Sequence, residues 1–375
     1  MRPFSLLIKP SGPDCNLNCK YCFYSGKTEL FGADAHRTNE EVLEKLVSDY
    51  MNLGFEVCNF AWQGGEPTLM GLDFYKKVVS LQQKHGRKGQ VVSNALQTNG
   101  ILLDEKWCRF LAEYKFLVGI SLDGSEKLHN YYRLDRAGGG TFEKVMGAIK
   151  KCRAYKVEFN ILTVLNDKNV IAPDELFDFF ISNNFRFLQF IPCVEKDPKT
   201  GAIADFSVTP KQYGGFLCKI FDRWLRFGPE KISIRLFDSI LSFYVNGSHT
   251  DCTFGEKCDE YVVVEHNGDV FCCDFFVDEQ WKPGDILETP LKELFNSEKK
   301  RTFAQQKRSV CDRCFVCRYY PVCRGGCLKD RIVSGGDYKG QCYFCESYKQ
   351  FFEHALDKLK QISAEVNYLN LRATH

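Results

Sequence analysis

Between Phe4 and about Arg226, short apolar runs alternate with longer amphipathic ones six times over, and no other pattern constrains the fold of this chain more. Short apolar runs suit strands buried in a parallel sheet, and helical periodicity between them suits helices laid across that sheet. The sequence predicts strands at 5–8, 57–62, 91–97, 117–122, 158–165 and 186–191. It predicts helices near 39–51, 72–85, 104–114, 141–155 and 173–183, with 209–226 after the last strand. Six βα units are two short of a closed eight-stranded barrel. The expected fold is therefore α/β, a partial (β/α)6 TIM-like barrel whose functional loops lie at the C-terminal ends of its strands.

After about Tyr244 the character changes: cysteines become dense, turn signals such as His266-Asn267-Gly268-Asp269 multiply, and helical periodicity is lost until 347–364. This predicts a barrel over 1–235 and a small, metal-organised domain with a terminal helix over 236–375. Lys+Arg 50 against Asp+Glu 48 leaves a net charge of +2, which favours neither nucleic acid nor an anionic membrane. The N-terminus has too short an apolar stretch for a signal peptide, and no run approaches a membrane span. A cytoplasmic monomer is expected, and in a reducing compartment an odd count of 19 cysteines fits metal ligands better than disulfides.

Immediately after the first predicted strand comes a C-x3-C-x2-C loop, Cys15, Cys19 and Cys22. Structural zinc sites close with four ligands, so a compact triplet points to an iron–sulfur cluster with one iron open to substrate. The second strand runs into Gln63-Gly64-Gly65-Glu66-Pro67, where the glycines permit close backbone approach to a ligand. Taken singly, such a segment is also compatible with a tight turn. The C-terminal cysteines can be counted as Cys252, Cys258, Cys273, then Cys314, Cys317, Cys323 and Cys327, then Cys345. Eight thiolates suffice for two four-cysteine clusters, although Cys314 and Cys317 also have ordinary zinc spacing.

The triplet followed by Phe23, the GGEP segment, Ser121-Leu122-Asp123-Gly124 and His129-Asn130-Tyr131-Tyr132-Arg133 together resemble the radical S-adenosylmethionine superfamily. The resemblance implies that Cys15, Cys19 and Cys22 hold a [4Fe–4S] cluster. It further implies that Gly64, Gly65 and Glu66 meet the methionine amino group, while Ser121 and Arg133 bind the amino-acid end. Val194 would contact the adenosine, and Tyr21, between two ligands, would contribute through its backbone or ring.

The C-terminal pattern is similar to the SPASM domain of radical enzymes that modify peptides. That likeness assigns Cys252, Cys258, Cys273 and Cys327 to one auxiliary [4Fe–4S] cluster and Cys314, Cys317, Cys323 and Cys345 to another, three clusters in all with the first. Cys272, Cys311 and Cys342 lie beside these ligands but outside the motif spacing, and no role is assigned to them.

Within that group the chain most resembles the anaerobic sulfatase-maturating enzymes, through Cys272-Cys273-Asp274-Phe275-Phe276 and Gly325-Gly326-Cys327. The family oxidises a Cys or Ser of a sulfatase to Cα-formylglycine. The implied substrate is an unfolded sulfatase or peptide bearing C-x-P-x-R or S-x-P-x-R, with a flavodoxin- or ferredoxin-type electron donor and Asp274 as the base. Two other classes share parts of the pattern. A SPASM maturase that crosslinks ribosomal peptides would use the same scaffold, and only Asp274 with its flanks separates it. An iron–sulfur scaffold or electron carrier would keep the last eight cysteines but has no need of GGEP or Ser121.

Overall fold

Parallel strands need crossover connections, and here helices supply them. A computed structural model of the chain describes residues 2–32 and 34–373, with side chains described as far as residue 367. Its described strands are β1 (Ser5–Lys9), β2 (Val57–Trp62), β3 (Val91–Thr98), β4 (Leu117–Ser121), β5 (Phe159–Leu165), β6 (Phe187–Pro192), β7 (Ser233–Ile234), β8 (Tyr261–Glu265), β9 (Asp269–Phe271) and β10 (Gly284–Asp285). The six strands expected from the apolar runs are all present, each within about two residues of its expected bounds.

Two compact units emerge, and they interleave along the chain. The first comprises Met1–Leu122, His129–Phe159 and Asp259–Ala304. Its strands follow the order β10-β9-β8-β1-β2-β3-β4. β1 to β4 pair parallel in sequence order, with Ile8 opposite Trp62, Trp62 opposite Leu96 and Thr98 opposite Ile120. Helices Glu40–Asn52, Leu72–His85 and Glu105–Glu113 cross between them. Two of these begin at caps that the sequence signals: Asn39 accepts from the Val42 amide at 2.8 Å, and Asp104 from Trp107 at 2.9 Å.

β8 is where the structure departs from expectation. It comes from the cysteine-rich region, where no strand was expected, and pairs parallel with β1 in the register Leu6–Val262 and Lys9–Glu265. β9 folds back antiparallel through the Glu265-to-Asp269 turn, where Gly268 adopts φ +99° and its amide bonds the Glu265 carbonyl at 3.0 Å. Val262, Val263 and Val264 are wholly buried. An apolar run of three valines was too short to stand out from its surroundings, and only the neighbouring β1 makes it a strand.

The strand ends differ sharply. Val57, Val91 and Leu117, at the N-terminal ends of β2, β3 and β4, are exposed. Toward the C-terminal ends buried polar residues gather: Lys9, Glu66, Thr98, Asn99 and Ser121. Buried polar groups are the informative exception in a protein interior, and they mark this end as the working one.

The second unit comprises Asp123–Leu128, Asn160–Cys258 and Gln305–His375. It contains the parallel strands β5, β6 and β7. The terminal helix Cys345–Ala373 packs on helices Pro210–Phe227 and Arg235–Asn246, the last of which had no counterpart in the sequence reading. Phe237 and Phe351 stack at 5.3 Å, and Phe221 meets both edge-on. Burying each such ring contributes about 1.5–3 kcal/mol. Helix Glu298–Gln306 and several single turns between Asp312 and Val333 also fall where periodicity was lost. No described helix is long and apolar enough to cross a membrane.

Helix Pro210–Phe227 carries two adjacent glycines with opposite surroundings. A Cβ on Gly215 would enter open space, whereas one on Gly214 would lie 2.3 Å from Gln350 Oε1 and 3.1 Å from Ser347 Cα. Gly215→Ala is therefore expected to raise stability by about 0.5–1 kcal/mol through helix propensity. Gly214→Ala is expected to lower it by roughly 1 kcal/mol or more through overpacking. Anaerobic thermal unfolding of the two variants beside wild type checks both signs.

Candidate active site

The cysteine loop leaves β1 and is fastened from three sides within the first unit. The amide of Gly65 bonds the Gly12 carbonyl at 2.8 Å, and that of Glu66 bonds Asp14 at 2.7 Å. Any Cβ on Gly65 would sit 2.0 Å from the Asp14 oxygen, so only glycine allows this contact. On another side, the Asn18 amide bonds the Leu134 carbonyl at 2.9 Å and Arg136 Nε the Cys15 carbonyl at 2.9 Å. The GGEP segment and the stretch after Arg133 thus hold the same loop. The third side is Asn99, which donates to Asn16 Oδ1 at 2.7 Å and approaches Cys15 Sγ at 3.8 Å.

Glu66 has a structural use that its motif does not disclose. Its carboxylate is fully buried and accepts from Thr68 N and Oγ1, Thr98 Oγ1 and the Asn99 amide at 2.6–3.0 Å. It clamps the end of β2 to the end of β3. Burial raises its pKa, and the four donors oppose that rise by favouring the charged form. Ser121 ends β4, buried. Arg133 is buried with its guanidinium 5.6 Å from the centre of the Tyr21 ring, which meets Tyr132 edge-on. Beside it, His129 is held neutral by burial and by the Arg133 charge, which bring its pKa down to about 3.

Asp274 reaches this end of the sheet because β8 and β9 carry it there. It forms an ion pair with the buried Lys9 at the end of β1, and its Oδ2 accepts from Gln63 Nε2 at 2.9 Å. Phe275 packs on Phe23 with ring centres 5.0 Å apart, so the segment after Cys273 lies against the segment after Cys22. Beneath, Lys9 Nζ sits 4.3 Å from the centre of the Tyr24 ring, and the Tyr24 hydroxyl bonds the buried Glu265. A carboxylate oxygen has two lone pairs, so the Lys9 and Gln63 contacts do not use the full acceptor capacity of Asp274. Lys9, Gln63, Thr98 and Asn99 were not singled out as working side chains in the sequence.

In the second unit, Cys314, Cys317, Cys323 and Cys345 line one hollow of about 490 Å³ including its mouth, together with Cys311 and Cys342. Cys311 and Cys314 are 3.6 Å apart, Sγ to Sγ. Among the described residues, no group of His, Cys, Asp or Glu is drawn closely enough to cage a single metal ion. Cys252 is exposed; Cys258 and Cys327, in this unit, and Cys273, in the first, are partly exposed, with Cys273 Sγ 3.2 Å from the Tyr261 hydroxyl. Val194 is wholly buried in the second unit, and its carbonyl accepts from Lys329 at 2.5 Å.

The donor set suits iron–sulfur clusters. Burial pushes the thiols of Cys15 and Cys345 up to about 11 and, with Cys311 alongside, that of Cys314 to about 12. The thiolates therefore need a cationic partner, which iron provides. Three buried cations organise the surrounding chain. Arg331 donates to the carbonyls of Lys307, Ser309, Arg324, Gly325 and Tyr338 at 2.8–3.1 Å. Lys307 bonds those of Thr253 and Gly326. In the first unit, Lys300 bonds those of Tyr261 and Cys272 at 2.7 and 2.8 Å.

Residues 10–180 match the radical SAM superfamily, and residues 252–318 match SPASM, an iron–sulfur cluster-binding domain. The chain is 39% identical to a cysteine-type anaerobic sulfatase-maturating enzyme of Clostridium perfringens over 98% of its own length and 100% of that protein's. It belongs to the anaerobic sulfatase-maturating enzymes. A serine-type member from Bacteroides thetaiotaomicron is 37% identical over 94% of this chain and 89% of that one. Native anSMEcpe, solved with bound AdoMet and Cp18Cys peptide, superposes with a TM-score of 0.90 at 39% identity, covering 97% of this chain and 100% of that one. Family membership makes the chain a radical S-adenosylmethionine oxidoreductase of α/β fold, with a partial (β/α)6 barrel and a SPASM domain, that uses S-adenosylmethionine and [4Fe–4S] clusters.

The neutral His129 beside Arg133 makes stability depend on pH. Its folded pKa lies below the ordinary 6.5, so its contribution to stability is whole above pH 6.5 and is lost as pH falls from there toward 3. His129→Asn removes this dependence. Below pH 6.5 the wild type is expected to lose up to about 1.4 kcal/mol per pH unit more than the variant. The difference between their melting temperatures from pH 7 to 5, under anaerobic conditions, measures it.

Proposed function

We propose that this chain oxidises the active-site Cys or Ser of an unfolded sulfatase, within C-x-P-x-R or S-x-P-x-R, to Cα-formylglycine, with Asp274 taking the thiol or hydroxyl proton. The observation that carries the reading is the Asp274 carboxylate, held between Lys9 and Gln63 beside the Cys22–Phe23 segment. Proton acceptance needs a fixed carboxylate within reach of one O–H or S–H, and two partners on one carboxylate supply that fixity.

In this reading Cys15, Cys19 and Cys22 hold the first cluster. Cys252, Cys258, Cys273 and Cys327 hold a second, and Cys314, Cys317, Cys323 and Cys345 a third. When bound, the first cluster and S-adenosylmethionine together supply the one-electron chemistry that removes the substrate's Cβ hydrogen. The protein's own groups orient and exclude. Gly64 and Gly65 offer backbone to the methionine amino group, with Glu66 fixing their loop from beneath. Arg133 pairs with the carboxylate and Ser121 bonds near it, while Tyr21 and Val194 bound the cofactor. Asp274 accepts the proton, and loss of one further electron, which an auxiliary cluster held by the C-terminal cysteines would accept, leaves a thioaldehyde or aldehyde; water converts the former to the latter with loss of sulfide. The functional division at 235/236, a cytoplasmic location, a flavodoxin- or ferredoxin-type donor and a monomeric state belong to the same proposal.

Anaerobic reconstitution is expected to give about twelve iron per chain, falling to about eight when Cys15, Cys19 and Cys22 are all changed to Ala, with S-adenosylmethionine cleavage abolished. Retained cleavage in that variant removes the assigned site. With a C-x-P-x-R peptide, Asp274→Asn should still produce 5′-deoxyadenosine while aldehyde formation falls by about 10²–10⁴-fold, the usual loss with a general base. Chromatography for deoxyadenosine and mass spectrometry for the aldehyde separate the two. Aldehyde at the wild-type rate takes Asp274 out of the mechanism, and a crosslinked peptide in place of aldehyde points to the other class of maturase.

A further inference from the structure

Lys9 is the last residue of β1, and its side chain is 1% exposed. A buried ammonium is costly: removing one from water forfeits several kcal/mol, and an apolar residue of similar size is often the more stable choice. Nothing about strand β1 itself calls for a charge there. The backbone of Lys9 is fixed on one side by its register with Glu265 and on the other by the Gly12 amide, which bonds its carbonyl at 3.0 Å. Its stem runs beside the GGEP loop so closely that a Cβ on Gly64 would lie 3.6 Å from both Lys9 Cα and Cδ. The ammonium is roofed by the Tyr24 ring at 4.3 Å, and the Tyr24 hydroxyl is itself tied to Glu265. What remains open to the charge is Asp274.

We infer that Lys9 is a positioning residue of the oxidation: a caged cation that fixes the Asp274 carboxylate in place and in orientation for the substrate side chain. The inference rests on the assignment of Asp274 as proton acceptor. Asp274 follows a cluster-binding position on a segment without regular structure, so its backbone alone does not determine where the carboxylate points. Lys9 sits on a strand paired on both edges and transmits that rigidity through one ion pair. The residue touches neither peptide nor cofactor in this role. It acts through Asp274 only.

The arrangement also makes Asp274→Asn a double injury, since it removes the base and leaves a buried ammonium unmatched. The test is therefore a cycle of wild type, Lys9→Met, Asp274→Asn and the double variant, each assayed for iron, 5′-deoxyadenosine, aldehyde and peptide KM. Lys9→Met is expected to keep iron and deoxyadenosine near wild type and peptide KM within about threefold. Its aldehyde per deoxyadenosine should drop ~10- to 100-fold, the scale of a misplaced reacting group. In the double variant the same ratio should equal that of Asp274→Asn alone, because a residue that acts through another has nothing left to act on.

A wild-type ratio in Lys9→Met overturns the inference, as does a further tenfold loss on the Asn background. Should the single variant lose its iron, the double variant decides, since it buries no unpaired charge; loss of iron in both assigns Lys9 to the fold and overturns the positioning role. No aldehyde from the wild type on either Cys or Ser peptide overturns the reading beneath, and this inference with it.

Discussion

Parallel pairing of Ser5–Lys9 with Tyr261–Glu265 is the contact that brings Asp274 beside Lys9. The two strands lie more than 250 residues apart in sequence, and closing so long a loop costs only slightly more than closing a short one, because the entropy grows with the logarithm of length. Burial of Val262, Val263 and Val264 repays it. Once the register is set, the hairpin at Gly268 returns the chain antiparallel, and Asp274 arrives at the end of β1. A slip of one residue would turn Lys9 to the opposite face and abolish the ion pair. Register and the Lys9–Asp274 pair are the same constraint here.

A second constraint operates one strand along. Glu66 gathers four donors from the ends of β2 and β3, while the backbone amides on its N-terminal side hold the cysteine loop. A buried carboxylate with that many partners is expensive to rearrange, since each unmet donor would cost about 1–3 kcal/mol. The GGEP segment is thus rigid before any ligand reaches it, and its glycine backbone does not have to be ordered on binding.

Most of the framework was legible from residues close together in sequence. Strands and helices of the βα region announced themselves by period, and the structure starts three of those helices at side-chain caps, Asn39, Asp104 and the Thr209–Gln212 capping box. Asp274 was singled out only through the resemblance carried by the Cys272–Phe276 segment. What stayed hidden has a common physical character. Lys9 reads as an ordinary polar end to a strand, Lys300 and Lys307 as solvated charges in a stretch without helical periodicity, and Arg331 as one more basic residue in a cysteine-rich loop. All four are buried, and their meaning resides in partners distant in sequence or in backbone carbonyls that no side-chain pattern encodes. β8 was missed for the same reason: three valines are a strand only once β1 lies beside them.

The buried cations explain how a region with so little regular structure holds its shape. Without helices or ladders, backbone carbonyls need donors from elsewhere, and a guanidinium offers five in a fixed fork. Arg331 spends these on five carbonyls between Lys307 and Tyr338, so the loop bearing Cys323 and Cys327 is tied to a single side chain. Lys307 does the same for the turns at Thr253 and Gly326, and while burial raises the Cys323 thiol, the Lys307 charge opposes part of that rise. These cations are therefore anchored by the backbone and not by the thiolates. Their positive field stays where it is whatever charge the cysteine sites carry, and a field fixed in advance stabilises a change of charge without first having to reorganise.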